Sequence, residues 1–378
     1  MSSGADFGIS SDVSVKAVSV SPFRPTSNAC QLVGRVLAAT DLLQEDREIW
    51  RQFLAPQPVA FLSYPYVRAF ASQCPLVRVT RISTLDGRTV AFFPFQYRSP
   101  AFAMVGIGER LGGDLSDYFG LVAEPGFQIE AQLLLRLSGL QSLFYSQLDE
   151  SLQGIGLIGE KALTGFRIDL PNGGKVFWED KRYSDKKFVS DTERRERNLI
   201  REFGPMRFVF SESDPSEPLE KVIAEKRAQY HRTHVGDVLS EERTRAVLYA
   251  LGRTRDAQCS GVVSTLHAGD TWVASHFGLR CGSTLHYWFP VYNPALKAFA
   301  PGRILLKQII DNAQSNGLER IDRGGGDSVA KRDFATSQHF FYSGLWQQPG
   351  LVALSHRVGL AINWRMARFK NRGKAEAE

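Results

Sequence analysis

The sequence predicts a mixed α/β fold made of two halves, each a mixed sheet with flanking helices. Three observations carry that prediction. Of 378 residues, 43% are hydrophobic and 23% charged, a globular composition that excludes collagenous, coiled-coil and broadly disordered chains. Short strand-like runs are interleaved with amphipathic helical stretches. One order of elements then recurs along a chain long enough for two or three domains.

Residues 1–30 are Ser-rich, with neither a basic start nor a continuous apolar stretch. They read as a disordered tail rather than a signal peptide, and the tail is bounded at 1–40. In the first half, 41–54 and 64–71 have helical character. The runs 76–82 and 88–97 flank Asp86-Gly87, a hairpin signal because these residues tolerate left-handed turn positions. An amphipathic helix over 127–139 ends at Gly139, and 142–147 reads as a strand, in a half bounded at 41–170. Residues 175–207 carry ten basic and seven acidic groups. Mixed signs suit a solvated helix with i,i+4 pairs, so 171–207 is expected to connect the halves.

From 208 the order returns. A strand over 208–211 precedes helices at 217–233 and 240–252. Strands 261–266 and 271–279 flank His267-Ala268-Gly269-Asp270, and a strand at 284–291 leads to a loop. A helix over 303–314 stops near Gly317, and the strand 320–323 follows, in a half bounded at 208–346. Residue-level likeness between the halves is confined to Thr84-Leu85 and Thr265-Leu266 entering the hairpin turns, so the duplication rests on pattern.

The formal charge is +6, from 46 Lys+Arg against 40 Asp+Glu. Residues 351–378 hold a net +4 of it, so the body is nearly neutral and no specific nucleic-acid partner is expected. In the segment 347–378, Leu351, Leu354, Val358, Ile362, Met366 and Phe369 recur at helical spacing, with Arg357, Arg365, Arg368 and Arg372 on another face. Such a basic amphipathic helix either docks on its own domain or makes a peripheral membrane contact. No apolar run reaches the ~18 residues of a membrane span. The four cysteines, Cys30, Cys74, Cys259 and Cys281, show no C-x-x-C pair and no His at ligand spacing. Reduced thiols, no metal and a cytoplasmic location follow as expectations, with membrane association on the cytoplasmic face left to the C-terminal helix.

Gly154-Ile155-Gly156-Leu157-Ile158-Gly159 is a literal G-x-G-x-x-G, but Gly165 and Pro171 leave no room for the helix that dinucleotide binding needs. The most informative stretch is 286–333. There a strand delivers the chain to Pro301-Gly302, and a helix starts at once. Its first-turn amides lack intrahelical partners and sit at the positive end of the dipole, so they either bind an anion such as a pyrophosphate or merely begin a helix. Gly302 permits close approach, and Arg303 offers a charge.

The same stretch reads Tyr292-Asn293, Ala300-Pro301-Gly302, Leu305-Leu306, Asp322-Arg323-Gly324-Gly325-Gly326-Asp327 and Ala330-Lys331. With Asp117-Tyr118 and the basic run 192–201 before Gly204, it resembles the acetyltransferase-like domain of the CelD type, a branch of the GNAT superfamily named for cellulose biosynthesis. Arg323 stands where that family has an aromatic, and Ala330 where it has a Tyr.

The resemblance implies a tandem GNAT-like fold, similar to the Fem-type transferases. It also implies an acyl-CoA-dependent N-acyltransferase using acetyl-CoA or another acyl-CoA, linked to polysaccharide or cell-envelope biosynthesis. Its partner would be a small-molecule or saccharide amine. The alternatives are a Fem-like aminoacyl transferase and a degenerate GNAT scaffold in exopolysaccharide assembly. Cofactor contacts would come from Phe289, Val291, Ala300, Pro301, Gly302, Arg303, Ile304 and Leu305. Direct attack of an amine on a thioester needs a base, an oxyanion donor and an acid for the thiolate. Asp322, or His286 through a water, would be the base; Tyr287 or Tyr292 the acid; Lys331 an orienting group. Each keeps a plainer reading: His286, Tyr287 and Tyr292 as core or strand residues, Asp322 as a turn former, Lys331 as a surface lysine.

Overall fold

The computed structural model describes residues 32–151 and 159–360. They form two compact units. The first holds the described residues up to Pro56, then Phe70–Leu163, then those from Phe340 on; the second holds Gln57–Ala69 and Thr164–His339. Among the described residues, no helix is long and apolar enough to cross a membrane.

The described residues open with β1 (Leu32–Ala38), α1 (Gln44–Leu54) and α2 (Tyr64–Ala71), then β2 (Val77–Thr84) and β3 (Thr89–Gln96), α3 (Pro100–Met104), β4 (Ile107–Arg110), β5 (Val122–Ala123), α4 (Ala131–Leu137) and β6 (Ser142–Asp149). Seven of the eight residues of β3 are buried, the mark of a central strand with both faces covered. Trp50 of α1 stacks on Phe92 with centroids 4.9 Å apart. The turn between β2 and β3 is the expected one, with Gly87 at φ +90°.

Next come β7 (Glu160–Asp169), α5 (Gly173–Ser184), α6 (Lys186–Phe203), β8 (Met206–Val209), α7 (Ser216–Thr233), α8 (Glu242–Arg253), β9 (Arg255–Asp256), β10 (Cys259–Ala268), β11 (Thr271–Cys281) and β12 (Thr284–Tyr292). They are followed by α9 (Pro301–Asp311), β13 (Arg320–Gly325), α10 (Val329–Arg332) and β14 (Ser337–Gln347).

The sheets share one plan. In the first unit the order is β1-β2-β3-β4-β6-β14, antiparallel throughout except for parallel β4 and β6. In the second it is β8-β10-β11-β12-β13-β7, antiparallel except for parallel β12 and β13. The duplication expected from the order of elements is therefore present at the level of topology. The strand that follows each half in the chain completes the sheet of the other half.

Several expected boundaries move. Leu32–Ala38 is strand, so the tail does not extend to 40. The connector expected over 171–207 is instead α5 and α6, whose Phe177, Trp178, Phe188, Val189 and Leu199 join the core of the second unit beside α9. Gly174 carries that packing, because a Cβ there would lie 2.2 Å from the Ile310 carbonyl oxygen. The second half thus starts at Thr164 rather than 208, and residues 57–69 belong with it. Residues 351–360 are helical. The rest of the C-terminal segment, Cys30 and most of the glycine motif at 154–159 lie outside the described residues. Cys259 and Cys281 are free, buried thiols; burial pushes each up to about 12.

Candidate active site

In the second unit, β12 and β13 pair only at Thr284↔Arg320, Leu285↔Ile321 and His286↔Asp322. β12 stays paired with β11 as far as Tyr292, while β13 pairs with β7 at Gly325↔Gly165. Beyond His286 and Asp322 the two parallel strands therefore part, leaving a wedge along residues 287–292. At ~3.3 Å per residue its length is about 17 Å.

A bulge lies at the apex of the wedge. Phe277↔Phe289 and Leu279↔His286 flank a register shift, so Tyr287 and Trp288 stand opposite Gly278 alone. A bulge re-aims backbone amides out of the ladder, here beside the point where β13 departs. Gly278 is required opposite it, since a Cβ there would come within 2.2 Å of the His286 carbonyl oxygen and 2.5 Å of His276 Nε2.

The mouth of the wedge meets the start of α9. Ala300 adopts φ 53°, ψ 55° and turns the chain into Pro301, the first helical residue. Arg303 N and Ile304 N both donate to Ala300 O, at 2.9 and 3.2 Å. Pro301 has no N–H, so the amide without a described acceptor is that of Gly302. Space in front of it is open, since a Cβ on Gly302 would meet only Tyr292 Cδ1, at 3.9 Å. Tyr292, about two-fifths exposed, flanks this opening. Ile304 and Leu305 are fully buried in the core, so only their backbone could face a ligand.

Arg303 is turned toward α6. Its Nη1 lies 3.1 Å from Asp191 Oδ2 and its guanidinium 4.6 Å from the Phe188 ring centroid. Asp191 is lowered to about 2, chiefly by its hydrogen bond from Arg195. Arg303 is thus shared with an aspartate that the sequence reading does not single out.

At the apex, Asp322 and His286 lie opposite one another in the last strand pair, and both are buried. Asp322 Oδ1 accepts from Gly324 N at 2.8 Å and Oδ2 from Arg167 Nε at 3.3 Å. His286 Nε2 accepts from Ala60 N at 3.3 Å, and its ring stands edge-on to Phe61 at 5.3 Å. An accepting Nε2 places the ring proton on Nδ1. Phe289 and Val291 are buried, with Phe289 4.6 Å from the Trp288 ring.

Tyr287 stacks on His276 at 4.3 Å and 10° on the α9 side of the sheet. Its hydroxyl has no described hydrogen-bond partner. Burial raises the phenol well above its ordinary value, so Tyr287 keeps its proton. The same cause lowers His276 to about 3, so it is neutral. Lys331 Nζ donates to Gly325 O at 2.5 Å and lies 3.4 Å from Gly324 O, tying α10 to the glycine run.

The wedge therefore brings together Tyr287, Tyr292, His286, Asp322, Phe289, Val291 and Gly302, leaves Arg303 turned aside and gives Lys331 a loop-fastening position. Arg167, Ala60 and His276 go unseen in the sequence because each meets the site from a distant segment.

Residues 186–332 match the family model described as acetyltransferase (GNAT) domain. No curated protein matches the chain significantly. Among solved structures, FemX superposes with a TM-score of 0.53 at 9% identity, covering 80% of this chain and 94% of its own. A conserved protein of unknown function from Bacteroides thetaiotaomicron VPI-5482 gives 0.51 at 11% identity, covering 81% and 98%. A tandem GNAT protein from the clavulanic acid biosynthesis pathway gives 0.46 at 10%, covering 85% and 100%.

Proposed function

We propose that the chain, whose residues 186–332 match the acetyltransferase (GNAT) domain model, is an acyl-CoA-dependent N-acyltransferase of the GNAT superfamily whose donor lies in the wedge between β12 and β13. The observation that carries the reading is the wedge itself: two parallel strands part beside a bulged strand, and the mouth opens on a helix start with a vacant amide and open space. These features fit an elongated donor with an anionic end. Gly302 would receive the phosphates and the bulge amides the thioester oxygen.

In the reaction an amine nitrogen bonds to the acyl carbon and the carbon–sulfur bond breaks. The amine loses one proton and the thiolate gains one. Tyr287 holds a proton at an unpartnered hydroxyl and is the first choice to supply it, with Tyr292 at the mouth as the alternative. Asp322, with His286 through a water as the alternative, is the group to receive the amine proton. The sequence resemblance to CelD-type proteins supports an acceptor amine on a saccharide or cell-envelope precursor.

A second reading, a donor-binding scaffold without turnover, is favoured by the engagement of both Asp322 oxygens and of His286 Nε2 in hydrogen bonds. Thiol release from acetyl-CoA in the presence of amino sugars and short amines separates the two. Steady release supports the transferase; binding without release for any amine supports the scaffold.

A further inference from the structure

Arg323 stands on β13 one residue past the last strand pair, where the wedge opens, and has no part in the chemistry above. Its guanidinium lies 5.6 Å from the Tyr287 ring centroid and 5.9 Å from that of Phe334. Nη1 donates to Ala330 O at 2.7 Å. Nε is sealed from solvent without a partner, and no described bond reaches Nη2. No carboxylate lies within ion-pair distance among the described residues; Asp333 acts on Arg323 only from farther away, and burial disfavours the charge.

Aromatic rings satisfy the flat face of a guanidinium but not its N–H edge. A part-buried cation with unused donors is costly to keep, and its nearest described carboxylate, Asp333, lies beyond ion-pair distance. With Nη1 on Ala330 O and Nε sealed, Nη2 is the donor left to make a charge-assisted bond to a carboxylate. It also lies at the right end of the wedge. Tyr292 marks the mouth beside Gly302 and Tyr287 the apex, so the acyl end of a donor anchored at Gly302 points toward Arg323.

We propose that Arg323 binds a carboxylate on the acyl group, so that the protein selects thioesters of dicarboxylic acids over acetyl thioester. This rests on the acyl-donor reading of the wedge. Titration calorimetry of the full chain with CoA, acetyl-CoA and succinyl-CoA tests it, together with Arg323→Gln and Arg323→Lys. The expected result is at least tenfold tighter binding of succinyl-CoA than of acetyl-CoA. That ratio should fall to about twofold or less in Arg323→Gln and be intermediate in Arg323→Lys, which keeps the charge but moves the donor. Equal affinities in the unmodified chain, or a preference that survives Arg323→Gln, overturn the proposal. Binding of CoA and acetyl-CoA without a preference would sink this inference alone, whereas no binding of any of the three would also remove the acyl-donor reading. If Arg323→Gln fails to fold, the unmodified chain and Arg323→Lys still decide.

Discussion

Gly302→Asp puts a carboxylate at the proposed phosphate site without disturbing the fold. The new Cβ would make one ordinary contact, 3.9 Å from Tyr292 Cδ1, and an acidic residue in the first turn of α9 complements the helix dipole. Thermal stability should hold or rise slightly. Two like charges 4 Å apart repel by about 1 kcal/mol in water and about 4 kcal/mol at an effective dielectric constant of 20. An opening at the surface falls between these limits, at about 2–3 kcal/mol, or about 30- to 150-fold in Kd. Calorimetric titration with acetyl-CoA reads the affinity, and differential scanning calorimetry confirms the fold. Gly302→Ala is the control: it adds bulk without charge and should gain about 0.5–1 kcal/mol in helix stability. A folded Gly302→Asp protein with unchanged affinity would refute the placement of the phosphates at α9.

Four further predictions follow from the same geometry. Asp322→Asn, which keeps the shape of the side chain, should lower kcat by about 100-fold or more if Asp322 is the base; full turnover would remove it from the mechanism. Tyr287→Phe removes one unpartnered hydroxyl from a ring that stays stacked, so kcat should fall at least about tenfold with stability nearly unchanged in urea melts. Gly174→Val drives a side chain into the Ile310 carbonyl 2.2 Å away and should cost about 1–3 kcal/mol, read as a lower Tm. His276 is lowered from 6.5 to about 3 in the folded state, so the unfolded chain binds more protons between those values. Its contribution to stability is complete above pH 6.5 and is lost progressively as pH falls toward 3. His276→Phe should flatten that acid limb in denaturant titrations across the range.

Local elements were legible where pattern and turn chemistry agree. The helix at Tyr64–Ala71 and the hairpin around Asp86-Gly87 match their expected positions, and the strands bearing the site differ only at their ends. β1 is missed because only alternate or terminal residues are partly buried, a weak signal beside a Ser-rich tail. In α5 and α6 the apolar positions are present but outnumbered by charges, and the break comes where Asp185 accepts from Phe188 N to begin α6. The exchange of β7 and β14 has no local signature, since a strand's sequence does not name its neighbour.

The site divides the same way. Gly302 and the tyrosines stand in one readable stretch, whereas Arg167 reaches Asp322 across 155 residues and Ala60 reaches His286 across 226. The loss of Arg303 to Asp191 is likewise a tertiary event, set by the packing of α6 on α9. Only the three-dimensional pairing shows that Asp322 and His286 close the apex of a wedge instead of lying within a continuous ladder.

The second unit is proposed to hold an acyl-CoA in this wedge. Calorimetric titration of the full chain with acetyl-CoA tests it most directly. One molecule bound per chain, with affinity lost in Gly302→Asp, is the predicted result. No detectable heat or thermal shift at millimolar ligand, for acetyl-CoA and longer acyl-CoAs alike, would contradict it.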